Sequence, residues 1–122
     1  MFEVTVTRSF SAAHLLKDIG GKCEGLHGHN FIVEASVAST TLNKGGLLLD
    51  FRLLKEWMDE VLEELDHKHL NDHPYFKDVN PSAENLAKFI YERISEKISI
   101  ENARVSCITV WESGNARASY RA

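Results

Sequence analysis

The residues 23–30, "CEGLHGHN", set a thiol, a carboxylate and two imidazoles within eight positions. A turn needs glycine or asparagine, but it has no need of His27 and His29 on either side of Gly28. Side chains two apart on a strand point the same way, so the pair would act together. His14 ends an earlier alternating segment and is the natural third member. Clustered imidazoles repel when protonated and lose hydration when buried, and a divalent metal removes both costs. Three histidines with an open fourth position form the ligand set of a catalytic zinc site rather than a closed structural one. Cys23 sits among Gly, Lys and His in a polar loop, whereas Cys107, in "ARVSCITVWE", reads as a small core residue.

The elements that would position these groups follow from periodicity. Phe2, Val4, Val6, Phe10 and Ala12 alternate with polar residues over 2–14, a half-buried strand in which Arg8 suggests a bulge or an interface. A second strand over 27–38 turns Phe31, Val33, Ala35 and Val37 one way. If the two pair antiparallel, the end of the first lies beside the start of the second, and His14, His27 and His29 converge. Asp50 can cap a helix of about 51–65 with a stripe from Leu53 to Leu65, and Pro81–Ser82 start a second helix. Strands at about 103–112 and 116–121 complete the order ββααββ, an α+β sandwich with an antiparallel sheet on one side.

With 122 residues, 43% hydrophobic and 26% charged, the chain reads as one domain over 1–122. The net charge of −4 argues against broad nucleic-acid binding. Apolar runs are too short to span a membrane, and the N-terminus lacks a signal peptide's apolar stretch, so the expected location is cytoplasmic. His67, His69 and His73 offer a rival metal site, but they follow a helix end, where solvated histidines suit the dipole. Asp66 beside His67 is a carboxylate that could orient an imidazole for proton transfer.

Taken together, "FSAAH", "CEGLHGHN", "LLLDFRLLK", "LDHKHLN", "NPSAENLAKFIYERI" and "WESGNARASY" resemble the 6-pyruvoyl-tetrahydropterin synthase family over nearly the whole chain. The spacing Cys-x3-His-Gly-His is similar to its 6-carboxy-tetrahydropterin synthase branch, from queuosine biosynthesis; the biopterin-making branch typically has five residues there. The resemblance implies the tunnelling fold (T-fold), whose subunits assemble into a barrel with helices outside, here expected as a hexamer of stacked trimers. It implies zinc held by His14, His27 and His29, with Cys23 as catalytic base and Asp66–His67 as a relay. Glu112 matches the carboxylate that anchors the pterin. Ser82 and Ser113 stand where the family often has Thr.

The substrate implied is 7,8-dihydroneopterin triphosphate, with Lys17, Lys22, Arg52 and Lys55 available for its phosphates or simply solvated. The expected product is 6-carboxy-tetrahydropterin. Elimination to the 6-pyruvoyl product is one alternative. Retro-aldol cleavage is another, kept open by Glu24 directly after Cys23, since some family members use a glutamate near there. A non-catalytic zinc or pterin-binding module is a third, and it would need neither a base nor a relay. A metal-dependent hydrolase would more typically carry a carboxylate beside the metal.

Overall fold

The alternation of β1 (Phe2–His14) buries Val6, Phe10, Ala12 and His14 and leaves Glu3, Thr5, Thr7 and Ser9 toward solvent. In the computed structural model, which describes residues 1–19 and 25–122, its partner is β2 (His27–Ser39). The two strands pair antiparallel without a break from Phe2 opposite Ser39 to His14 opposite His27. Arg8 therefore marks no bulge. Its guanidinium reaches across to helix α1 (Phe51–Glu63), with Nε 3.0 Å from Asp59 Oδ1.

Asp50 caps α1 by accepting from the Arg52 N–H, and Leu54, Trp57, Met58, Val61 and Leu62 form its buried stripe. The helix ends two residues earlier than expected. Leu65 N–H turns back to the Leu62 carbonyl, and His67 then adopts a left-handed backbone with φ +58°. That reversal sends the chain into a two-residue strand, β3 (Lys68–His69), parallel to β1 at Ala12 and Ala13. Two residues carry no periodicity, so this strand has no sequence signal. Two 3₁₀ turns (Leu70–Asp72 and Pro74–Phe76) then lead to α2 (Ala83–Lys97), capped by Ser82. β4 (Ala103–Ser113) and β5 (Ala116–Tyr120) complete a five-stranded sheet in the order β3-β1-β2-β4-β5. The sheet is therefore mixed, not purely antiparallel, while the α+β class stands.

Opposite β2, β4 carries one extra residue: Ser36 faces Cys107 and Val37 faces Val105, leaving Ser106 between them. The bulge changes parity, so Val105, Ile108 and Val110 all enter the apolar cluster between sheet and helices. Cys107 is displaced to the other face. It is buried, as expected of a small core residue, but beside Thr109 and outside that cluster. The face away from the helices is polar, joined by Thr5–Ser36, Thr109–Ser119 and Trp111–Glu34 hydrogen bonds.

Phe31 links the core to the histidines. It is fully buried, stacks on Phe10 at 4.9 Å, and meets the rings of His14 and His29 at 5.5 Å each. Phe31→Ala should cost about 3–5 kcal/mol, read from urea denaturation, because a cavity opens beneath both rings. A loss under ~1 kcal/mol would show that the site does not depend on this packing.

Candidate metal centre and acid–base pair

Strand register alone brings the three histidines together, since His14 lies opposite His27 and His29 lies opposite Ala12. His14 Nε2 and His27 Nε2 are 3.0 Å apart. His14 is wholly buried, and the other two side chains are about a quarter exposed. The far nitrogens of two rings are fixed by main chain: His14 Nδ1 lies 2.7 Å from the Pro81 carbonyl and His27 Nδ1 2.7 Å from the Gly25 carbonyl. A carbonyl can only accept, so both Nδ1 atoms donate, and in the neutral rings both Nε2 atoms present lone pairs. Two such lone pairs at 3.0 Å repel unless a cation lies between them. This arrangement, with the outer nitrogen donating to a carbonyl and the inner one an acceptor, is how proteins prepare a histidine for a metal.

Glu112 joins them. Its Oε1 is 3.0 Å from His29 Nε2, 3.6 Å from His14 Nε2 and 3.8 Å from His27 Nε2. One ligand atom from each of the four residues lies within 4.8 Å of the rest, so the cluster could bind a metal, and imidazole nitrogen is a donor that zinc takes. Glu112, expected as the pterin anchor, stands beside the three rings. Past the bulge it shares parity with Ile108 and Val110, which turns it to the histidines' side of the sheet. It also lines a hollow of about 200 Å³ with Glu84 and Arg117.

Asp66 and His67 lie at the edge of β1. Asp66 Oδ1 accepts the Ser11 N–H at 2.9 Å, and its Oδ2 is 3.0 Å from His67 Nδ1. The Ser11 N–H, followed by the His67 side chain, holds the Asp66 carboxyl below its ordinary value of 3.8. The stability this adds is present above 3.8 and lost as pH falls through the lowered folded value. His67 is 81% exposed and lines a cleft of about 520 Å³ together with Ser11, Gly28, His29 and Lys68.

His69 and His73 pair separately, with Asp72 at 3.3 Å and Glu64 at 3.2 Å, and among the described residues they join no metal-capable group. Arg52 is engaged by Asp50 at the start of α1, and Lys17 lines a different hollow with Asn71 and Asn80. Cys23, with Lys22 and Glu24, lies outside the described residues. The Pro81 carbonyl that orients His14 had no signal in the sequence, because it is main chain.

A sheet backed by two helices carries the metal-capable histidine cluster at one end, and the chain shares the tunnelling fold of its solved structural relatives. The chain belongs to the 6-pyruvoyl tetrahydropterin synthase family, whose sequence profile matches residues 3–122. The solved 6-pyruvoyl tetrahydropterin synthase of Caenorhabditis elegans superposes with a TM-score of 0.84 at 28% identity, covering 100% of this chain and 97% of that one. The chain is 31% identical to the 6-carboxy-5,6,7,8-tetrahydropterin synthase of Aquifex aeolicus, over 82% of this chain and 76% of that protein. It is 38% identical to the dihydroneopterin monophosphate aldolase of Pyrococcus furiosus, over 85% and 83%.

The backbone of His67 offers a direct check. A non-glycine residue at φ +58° is strained by about 1 kcal/mol, so His67→Gly should raise the melting temperature. His69, at φ −87°, is unstrained, and His69→Gly should lower it. A fall for both would show that the His67 side chain contributes more to the fold than its backbone costs.

Proposed function

We propose that residues 1–122 form one pterin synthase domain, a zinc-dependent lyase converting 7,8-dihydroneopterin triphosphate and one water to 6-carboxy-5,6,7,8-tetrahydropterin, triphosphate and acetaldehyde. The observation that carries this reading is the convergence of His14, His27 and His29, two of them with their outer nitrogens on carbonyls, in a chain of this family. Zinc held there would polarise the adjacent hydroxyls of the substrate's side chain and make nearby protons easier to remove. Cys23 is the base that takes the first proton. His67, oriented by Asp66, returns protons as the side chain breaks. Glu112 accepts two hydrogen bonds from the amino-pyrimidinone edge. A binding module would have no use for an exposed histidine held in a strained conformation beside a carboxylate.

A second reading is retro-aldol cleavage to a hydroxymethylpterin. Glu24 beside Cys23 supplies a second candidate base, and the Pyrococcus furiosus relative is named an aldolase. The two are separated by incubating zinc-loaded protein with dihydroneopterin triphosphate and monophosphate and identifying the pterin by mass. A 6-carboxy product from the triphosphate is expected. A hydroxymethylpterin that disappears in Glu24→Ala would replace the first reading with the second.

Metal content separates ligands from bystanders. One zinc per subunit is expected, with His27→Ala or His29→Ala strongly weakening it and His73→Ala leaving it intact. Glu112→Gln should keep the zinc and raise KM at least ~10-fold, as expected when a charge-assisted pair of hydrogen bonds is lost. Loss of zinc from Glu112→Gln would make the carboxylate a fourth ligand and close the site.

Assembly follows from the sheet's edges. β1 pairs with β3 only at Ala12 and Ala13, so among the described residues its edge from Phe2 to Phe10 has no partner strand. Exposed edges invite pairing, and closure into a barrel removes them. The proposed unit is a cytoplasmic homo-hexamer of two stacked trimers, with each pterin site at a subunit interface. Among the described residues no helix is long and apolar enough to cross a membrane. Mixing Cys23→Ala and His67→Ala proteins after dissociation should restore partial activity, because intact sites re-form between subunits. A fully active monomer by light scattering would overturn the assembly.

A further inference from the structure

Beyond the end of β1 the chain has left the sheet, yet two residues there are gripped on both main-chain groups. Asn71 Oδ1 accepts the Leu15 N–H at 3.0 Å, and its Nδ2 donates to the Leu15 carbonyl at 3.0 Å. Asn80 does the same to Lys17, accepting its N–H at 2.9 Å and donating to its carbonyl at 2.6 Å. An antiparallel strand exchanges one such pair of bonds with every second residue of its neighbour. Here two amide side chains replace that strand, because an amide is the side chain carrying one carbonyl and one N–H donor side by side.

The position of these clamps gives them a consequence for the site. Leu15 directly follows His14, so the Asn71 clamp fixes the backbone that carries the buried imidazole. Asn80 directly precedes Pro81, whose carbonyl receives the His14 Nδ1–H. Its own carbonyl is held by Asn85 Nδ2 at 2.9 Å from the first turn of α2, which Ser82 caps. The Asn80 side chain therefore ties the segment bearing the acceptor to the segment bearing the ring. We infer that Asn71 and Asn80 are positioning residues for His14, acting through Leu15, Lys17 and Pro81 to hold its Nδ1–H on the Pro81 carbonyl and its Nε2 toward the metal. The part of this concerning metal rests on the zinc reading above.

Aspartate is the informative replacement. In Asn71→Asp and Asn80→Asp the carboxylate can still accept the main-chain N–H but sets a second acceptor against the carbonyl, so half of each clamp is lost. The metal-free protein is observed by long-range ¹H–¹⁵N NMR, and zinc affinity is read by competition with a chromogenic chelator. In the wild type the His14 Nδ1–H should give a resonance protected from exchange. Either aspartate variant should lose that protection and bind zinc about 10–100-fold more weakly, the usual effect of removing a group that orients a ligand. Val105→Ala, a core change in β4, supplies a variant destabilised without touching the clamps, and it should keep both properties.

Retention of the protected resonance and of wild-type affinity in both aspartate variants would overturn the inference. So would a Val105→Ala protein that loses them to the same degree at an equal fall in melting temperature. A wild-type protein that shows the protected resonance, loses it in the aspartate variants and takes up no zinc would refute the metal reading and leave the positioning role standing.

Discussion

The unbroken antiparallel register between β1 and β2 is the constraint on which the site depends. Because side chains alternate along a strand, a slip of one residue would turn His27 and His29 to the polar face while leaving His14 in the core. Phe31, Val33, Ala35 and Val37 prevent it, each fully buried on the same parity as the two histidines. The apolar stripe that drives folding thus also sets the chemistry at its end, and nothing separate is needed to bring the rings together.

That economy explains what could be read from the sequence. Alternation over 2–14 and 27–38 and the stripe of α1 each involve many residues under one period, and these elements stand within two residues of their expected bounds. The caps at Asp50 and Ser82 were legible from single residues, but other features of that size were not. The bulge at Ser106 reverses parity within β4, which turns Cys107 away from the apolar cluster between sheet and helices. β3 arises because His67 takes a left-handed backbone, a choice no periodicity announces. The Pro81 carbonyl and the two asparagine clamps act on main-chain groups, so their partners have no residue type to recognise. Cys23 was conspicuous by its setting in the sequence, and it lies outside the described residues.

The acid–base pair is built on different terms from the metal cluster. The histidine cluster is enclosed by strands and by the segment leading into α2, with one ring fully buried. Asp66 and His67 sit at an open edge, fastened to β1 through both main-chain groups of Ser11. A rigid metal-capable cluster beside an accessible Asp–His pair suits the proposed reaction, in which substrate is held at one point and protons are exchanged at another.

If three imidazoles and no sulfur hold the metal, X-ray absorption at the zinc edge of the loaded protein will show it. Nitrogen neighbours are expected at about 2.0–2.1 Å with the multiple-scattering pattern of imidazole, completed only by light oxygen or nitrogen atoms. A zinc–sulfur shell at about 2.3 Å would contradict this, because Cys23 would then be a ligand and could not serve as the base.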